Sequence, residues 1–305
     1  MIPAVSTGTV DTLTQVLGTL QGIFVVVFLV GTMAVVGFQL TRGDVSETVR
    51  SYNLLARWLL ANMVAVPLFA VVMWLVFDLS DPLLTGLVLI SFAPGAPFIP
   101  RLVLLAGEDS KQALKITASL TVVAAVIVPV FATGMLVLIE LREGVSLFRF
   151  LVPLVLVLVA PIAVGALVRD WRPDLAARAT KPLARLSSLS LFAALAVIVI
   201  LNPGGIIRTL ISLVGTGTLF VLLLFTFGSI AIGWFVGGPT AEGRRILGLA
   251  CAARNIGIAL FIVTGAFPDS NADSVIVAYT VLMFVVTGGV AYYWGRTRRA
   301  ILSMA

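Results

Sequence analysis

The chain has 305 residues, of which 60% are apolar and only 11% are charged, and its mean hydropathy is +1.14. A soluble protein of this composition would have too little polar surface, so we expect the chain to fold within a lipid bilayer. It has no histidine and a single cysteine, Cys251, which excludes an intrachain disulfide, a cysteine-bound metal cluster and catalysis by a histidine base.

Apolar stretches that approach the length needed to cross a bilayer, about 20 residues, recur along the chain. Nine of them are present, at residues 17–40, 52–77, 83–106, 113–139, 148–168, 186–202, 216–237, 246–267 and 272–295. The longest polar connection, 169–185, is too short to fold alone, so residues 1–305 are predicted to form one all-α membrane domain. The first stretch is a span rather than a signal peptide, because no Lys or Arg precedes it.

The basic residues alternate between loops in step with the predicted spans. Of 20 Lys and Arg residues, 16 fall on one side of the predicted membrane, 3 fall on the other, and Arg254 lies inside a span. By the positive-inside rule, the N-terminus is outside and the C-terminus is in the cytoplasm, and we expect a plasma-membrane location. The net charge of +6 then follows from topology and anionic lipids, and no basic stripe with interleaved aromatic residues indicates a nucleic-acid partner.

The 14 carboxylates all fall in loops or at the ends of spans. Without a buried Asp, Glu or His, the spans offer no conventional general acid or base and no relay for protons. We therefore expect no enzymatic activity, no cofactor and no metal site.

The first unusual feature inside the spans is the segment 93–100, which contains Pro94, Pro97, Pro100 and Gly95. Each proline removes an amide donor and clashes with the carbonyl one turn earlier, so the span must unwind here. Unwound backbone at membrane depth is tolerated only where protein or a cavity surrounds it, and broken helices of this kind bind substrates in transporters. A simple proline kink ordinarily needs only one proline, so three prolines within seven residues favour a broken helix over a kink.

The second unusual feature is Arg254, the only charge deep within an apolar run. An arginine at mid-bilayer costs about 2.5 to 3.5 kcal/mol on insertion scales, so a functional site is the default interpretation. The structural alternative is that Arg254 caps the carbonyls of a neighbouring broken helix.

The two features occupy corresponding positions in the two halves of the chain. Each lies in the penultimate span of its half, which predicts two inverted repeats of four and five spans, at about residues 17–139 and 148–297. The two broken helices would then cross near the midplane.

The sequence resembles the bile acid:sodium symporter family, part of a superfamily that includes arsenite and riboflavin transporters, and it looks like a divergent bacterial or archaeal-type member. The residues that carry the resemblance are Gly37-Phe38-Gln39-Leu40-Thr41, Asn62 five residues before Pro67, Pro94-Gly95 and Arg254-Asn255. The resemblance implies a panel domain and a core domain, with two crossing broken helices in the core and with nine spans in the shorter form of the fold.

The sequence departs from the family at the positions that bind sodium. The Glu and Gln that the family places in the later broken helix are Ala250 and Arg254 here, and its Ser-Asn pair falls on Ile99 and Pro100. Asn62 matches a family Gln at one sodium site. Further hydroxyl groups that match ion ligands, as remnants of these sites, are Thr117, Ser119 and Thr121.

These departures predict a secondary transporter of a small organic anion for which sodium is dispensable. A guanidinium near the site would repel sodium, and its fixed charge, together with the helix ends near Gly95 and Asn255, is suited to a carboxylate or sulfonate. The predicted substrate-binding residues are Arg254, Asn255, Pro94, Gly95, Pro97 and Asn62. Three alternatives stay open: a sodium-coupled symporter with non-standard sodium sites, an anion-binding membrane sensor, and arsenite transport through Cys251.

Overall fold

The computed structural model describes residues 7–138, 147–204, 207, 211, 217–267 and 270–302. Thirteen α-helices, α1 to α13, run through these residues. In chain order they are Thr7–Gln39, Arg42–Arg50, Tyr52–Leu59, Val66–Val76, Asp81–Ser91, Ile99–Leu105, Ser110–Leu138, Leu147–Trp171, Pro173–Leu201, Thr218–Val236, Ala241–Ala252, Ile256–Ala266 and Ala272–Leu302.

The helices confirm an all-α integral membrane protein. Seven helical stretches in the described chain are long and apolar enough to cross a membrane: Thr14–Gln39, Tyr52–Val76, Val152–Trp171, Pro173–Leu201, Thr218–Val236, Ala241–Gly265 and Ala272–Ala300. The two remaining predicted spans are largely helical within the described residues. The first is divided between α5 and α6, and the second is α7.

The polar connection predicted at 169–185 is almost entirely helical. Helix α8 continues to Trp171, and α9 begins at Pro173. Proline at the first helical position lacks only an amide that would have no partner there, and the alanines, leucines and arginines that follow favour helix. The basic residues of this segment therefore lie in the polar ends of α8 and α9, which continue beyond the apolar parts of the two helices.

A π-helical turn, Leu60–Ala65, joins α3 to α4 within one continuous span. Pro67 follows this turn and cannot donate a backbone hydrogen bond. The helix is wider over this turn, because the Val66 amide donates a hydrogen bond to the carbonyl five residues earlier, that of Ala61. The widened turn contains the buried Asn62.

Helix α1 packs along both α8 and α9, and these three helices form one group. In the second group, α10 packs against α11, and α13 contacts α5, α6 and α12. The segment 241–265 lies at the centre, because 94% of its most apolar window is buried, against 28–50% in the other six candidate spans.

Charged residues at one end of the second group tie three of its elements together. Glu108, in the turn after α6, accepts hydrogen bonds from Arg245 of α11, at 2.8 Å, and from Arg298 of α13. The Glu108 side chain is only 2% exposed. Because both partners are long basic side chains on different helices, these two ion pairs hold the ends of α6, α11 and α13 in one arrangement.

Two glycines bring α1 and α8 into backbone contact. A Cβ atom at Gly37 would lie 2.3 Å from the Ile162 carbonyl oxygen, and one at Gly165 would lie 2.5 Å from that of Ala34. Small residues of this kind let transmembrane helices approach closely, which increases their van der Waals contact.

We expect Gly37→Ala to lower the free energy of unfolding by about 1–3 kcal/mol, because the added methyl group meets backbone that cannot move aside. Thermal unfolding of the detergent-solubilised protein measures the change. Gly22→Ala, on the same helix, is the matched control, since a Cβ there meets no atom within 4 Å. An equal loss in both variants would contradict the proposed close packing.

Candidate functional site

The two interruptions of helical structure lie against each other in the core. The first occupies residues 92–98, between α5 and α6, and the second occupies residues 253–255, between α11 and α12. The Asn255 amide donates a 2.6 Å hydrogen bond to the Ala93 carbonyl oxygen. Each break therefore supplies a backbone partner to the other, in a region where water is scarce.

Asn255 connects the breaks through its side chain as well. Its Oδ1 accepts a hydrogen bond from the Ile258 amide at 3.4 Å and so caps the N-terminus of α12. Its Nδ2 donates to the Gly95 carbonyl oxygen, also at 3.4 Å. An asparagine side chain has both an acceptor and donors. One residue can therefore cap its own helix and also hydrogen-bond to the backbone of the other break.

Gly95 adopts a φ of +79°, in the left-handed region that favours glycine. Its carbonyl oxygen also accepts a hydrogen bond from Thr121 Oγ1 of α7, at 3.2 Å. Thr117 lies one turn earlier on the same face, and its carbonyl accepts from Thr121 Oγ1 at 2.8 Å. Ser119 is only partly buried and lies on a different face, so the structure brings Thr117 and Thr121, but not Ser119, to the first break.

Asn62 and Arg254 are both fully buried. The Nδ2 of Asn62 donates to the Trp58 carbonyl at 3.1 Å, whereas its Oδ1 has no hydrogen-bond partner among the described residues. The same holds for all three guanidinium nitrogens of Arg254. The Arg254 side chain lies near Cys251 and Tyr279, and Cys251 lies beside Asn62, so these four residues form one buried polar cluster.

A cavity of about 370 Å³ lies between the two helix groups, with α1 and α9 on one side and α6, α7 and α13 on the other. Its wall is mostly apolar and aromatic, and the Phe98 and Phe284 rings on that wall are 4.6 Å apart. Polar groups reach it at Thr32, Gln39, Arg101, Ser188 and Thr280. A volume of this size is in the range of sites for small organic molecules.

A second cavity of about 380 Å³ adjoins the first and shares Gln39, Pro100, Arg101 and Leu114 with it. Its wall adds Lys111 and Arg169, while no carboxylate is among the described residues that line either cavity. Arg101, where the cavities meet, is exposed and forms no ion pair within the described chain. Three cations therefore line the approach to an apolar cavity.

A comparison of the sequence with known protein families identifies its family. The model of the sodium bile acid symporter family matches residues 26–227, about two thirds of the chain. The chain belongs to the sodium bile acid symporter family. Its members are transporters, and this chain is accordingly a multi-span membrane protein of a transporter family. The matched residues include the first break and end before Arg254. No curated protein matches the sequence.

The predicted site residues divide between the crossing and the cavity. Pro94, Gly95, Asn255, Asn62 and Arg254 are buried at or beside the crossing and do not line the cavity, whereas Pro97 does. Sequence reasoning did not single out Arg101, which lies close to the end of the predicted span 83–106. The signal was its position directly after the triple-proline segment, which places it beside any cavity that the break creates.

We expect Gly95→Ala to destabilise the protein and to impair any activity that depends on the crossing. A non-glycine residue in the left-handed region costs roughly 1–2 kcal/mol, and the added Cβ would lie 2.5 Å from Thr121 Oγ1. Thermal unfolding in detergent measures the loss. Gly288→Ala serves as the control, because a Cβ there meets nothing within 4 Å. Equal stability of Gly95→Ala and the parent protein would refute this role of the turn.

Proposed function

We propose that this member of the sodium bile acid symporter family is a secondary transporter of a small organic anion. The observation that carries the proposal is the apolar cavity whose approach is lined by Arg101, Lys111 and Arg169 without a carboxylate. Cations on the way to a low-dielectric site raise the local concentration of anions, and an apolar wall selects those with an organic body.

Transport in this proposal does not require sodium. Sodium prefers oxygen ligands. The positions that correspond to the family's sodium ligands are occupied here by residues without a side-chain oxygen: Ala250, Arg254, Ile99 and Pro100. Arg254 supplies a permanent positive charge in place of the ion. The runner-up is a sodium-coupled symporter that would use backbone carbonyls of the segment 94–100 together with Asn255 and Asn62, whose Oδ1 has no partner among the described residues.

The substrate meets Pro97 and Arg101 first, because these residues line the cavity. Its predicted contacts with Arg254, Asn255, Pro94, Gly95 and Asn62 require a conformation in which the core opens toward the cavity. Such an exchange of access is the usual work of a transporter with discontinuous helices.

The finer architecture in this proposal has nine spans in two inverted repeats, about 17–139 and 148–297. The group α1, α8 and α9 corresponds to the panel domain, and the second group corresponds to the core domain. The protein lies in the plasma membrane. The side that carries 16 of the 20 Lys and Arg residues faces the cytoplasm, and the N-terminus is outside.

Uptake by proteoliposomes tests both transport and sodium independence. The purified protein is reconstituted, and uptake of a steroid carboxylate, an aromatic carboxylate and an alkyl sulfonate is compared in sodium gluconate and potassium gluconate. We expect saturable uptake of at least one probe at equal rates in the two salts. Uptake only in sodium would establish the runner-up, and binding of a probe without flux would establish a sensor instead of a carrier.

We expect Arg101→Gln to weaken binding of the transported anion about 10- to 100-fold, because a hydrogen bond to a charged group contributes about 1.5–3 kcal/mol. Ligand-induced shifts in the melting temperature give the affinity. Arg101→Lys should retain part of it, since the charge is kept. Arg178→Gln is the matched control, because Arg178 is exposed but lines neither cavity. An unchanged Kd in Arg101→Gln would remove Arg101 from the site.

A further inference from the structure

The guanidinium of Arg254 is a fully buried cation with no protein counter-charge. Its exposed fraction is 0%, and Nε, Nη1 and Nη2 all lack a hydrogen-bond acceptor among the described residues. The ion pairs in the described chain lie elsewhere and involve Arg42, Lys115, Arg245 and Arg298. An uncompensated buried charge is strongly unfavourable, so this group needs a partner that the described protein residues do not supply.

The elements around Arg254 present donors and neutral groups rather than anions. The Arg254 amide donates to Met283 Sδ at 3.2 Å, which fixes the backbone of the break against α13. The hydroxyl of Tyr279, close to the guanidinium, donates to the Ala252 carbonyl at 2.9 Å and keeps its proton engaged there. Cys251, from α11, adds a thiol, which is a weak donor.

A second unpartnered polar group lies on the helix that faces this cluster. Ser229 of α10 is fully buried, and its Oγ has no partner among the described residues. It lies one turn from Thr226, which is close to the hydroxyl of Tyr279. The oxygens without a partner in this part of the described chain, Asn62 Oδ1 and Ser229 Oγ, are therefore both neutral, and neither supplies a negative charge for the guanidinium.

We propose that Arg254 binds a small inorganic anion of halide size inside the core. The planar guanidinium directs up to five N–H donors at such a ligand, and buried anions are most stable where fixed donors replace water. A small ligand is proposed because Ala250, Ala252, Ala253 and Asn255 around the break are each fully buried, so no opening to solvent lies beside them. A substrate carboxylate that reaches Arg254 would take the place of the halide.

The halide site is tested on the full-length protein in detergent, with chloride as the first probe. Melting temperature is measured as sodium chloride replaces sodium gluconate at constant ionic strength. We expect a saturable rise with chloride and a similar rise with bromide. The rise should disappear in Arg254→Gln and persist in Arg101→Gln, whose arginine lines the cavity instead. No rise, or an equal rise in Arg254→Gln, would overturn the proposal.

A direct measurement covers the case in which Arg254→Gln does not fold. Crystals of the parent protein grown with bromide should show one anomalous peak beside the Arg254 guanidinium. A peak only at Arg101, Lys111 or Arg169, or none, would refute the core site. Failure of organic-anion uptake in proteoliposomes, with the bromide peak present, would instead refute the proposed function alone.

Discussion

Most of this structure depends on a single requirement: backbone that leaves the helix inside the bilayer must find its hydrogen bonds in protein. Pro94 and Pro97 lie in the segment between α5 and α6, Pro100 lies in the first turn of α6, and the chain breaks again at 253–255. Each break alone would leave carbonyl and amide groups without partners in a medium that offers none. Together they satisfy one another through Asn255, whose amide reaches Ala93 and whose side chain reaches Gly95.

Burial separates the roles of two arginines that look alike in the sequence. Arg254 lies at the crossing, with no exposed surface and no protein acceptor for its guanidinium. Arg101 follows the first break by three residues and lines two adjoining cavities. A cation at a cavity can meet a large solute directly, whereas a cation sealed in the core can act only on what fits beside it. The proposed preference for anions therefore depends on Arg101 at least as much as on Arg254.

The sequence predicts features that depend on local composition and misses those that depend on packing. The positions of the apolar helices follow from runs of apolar residues, and the first break follows from three prolines within seven residues. The helical character of 169–185 was missed because its charges suggested a loop, although its intrinsic propensity favours helix. The face that joins Thr117 and Thr121 to Gly95 depends on how α7 packs, which spacing alone does not decide.

The cavity was unpredictable for the same reason, and its position bears on how the protein would work. Its wall combines α1 and α9 with α6, α7 and α13, elements far apart in sequence. Each group has close internal contacts. In the first group, the backbones of α1 and α8 are in contact at Gly37 and Gly165. In the second group, the two breaks are hydrogen-bonded to each other, and Glu108 pairs with arginines of two helices. Relative movement of the groups would widen or close this cavity, which already separates side chains between them. A solute bound there sits on the surface that any such movement would shift.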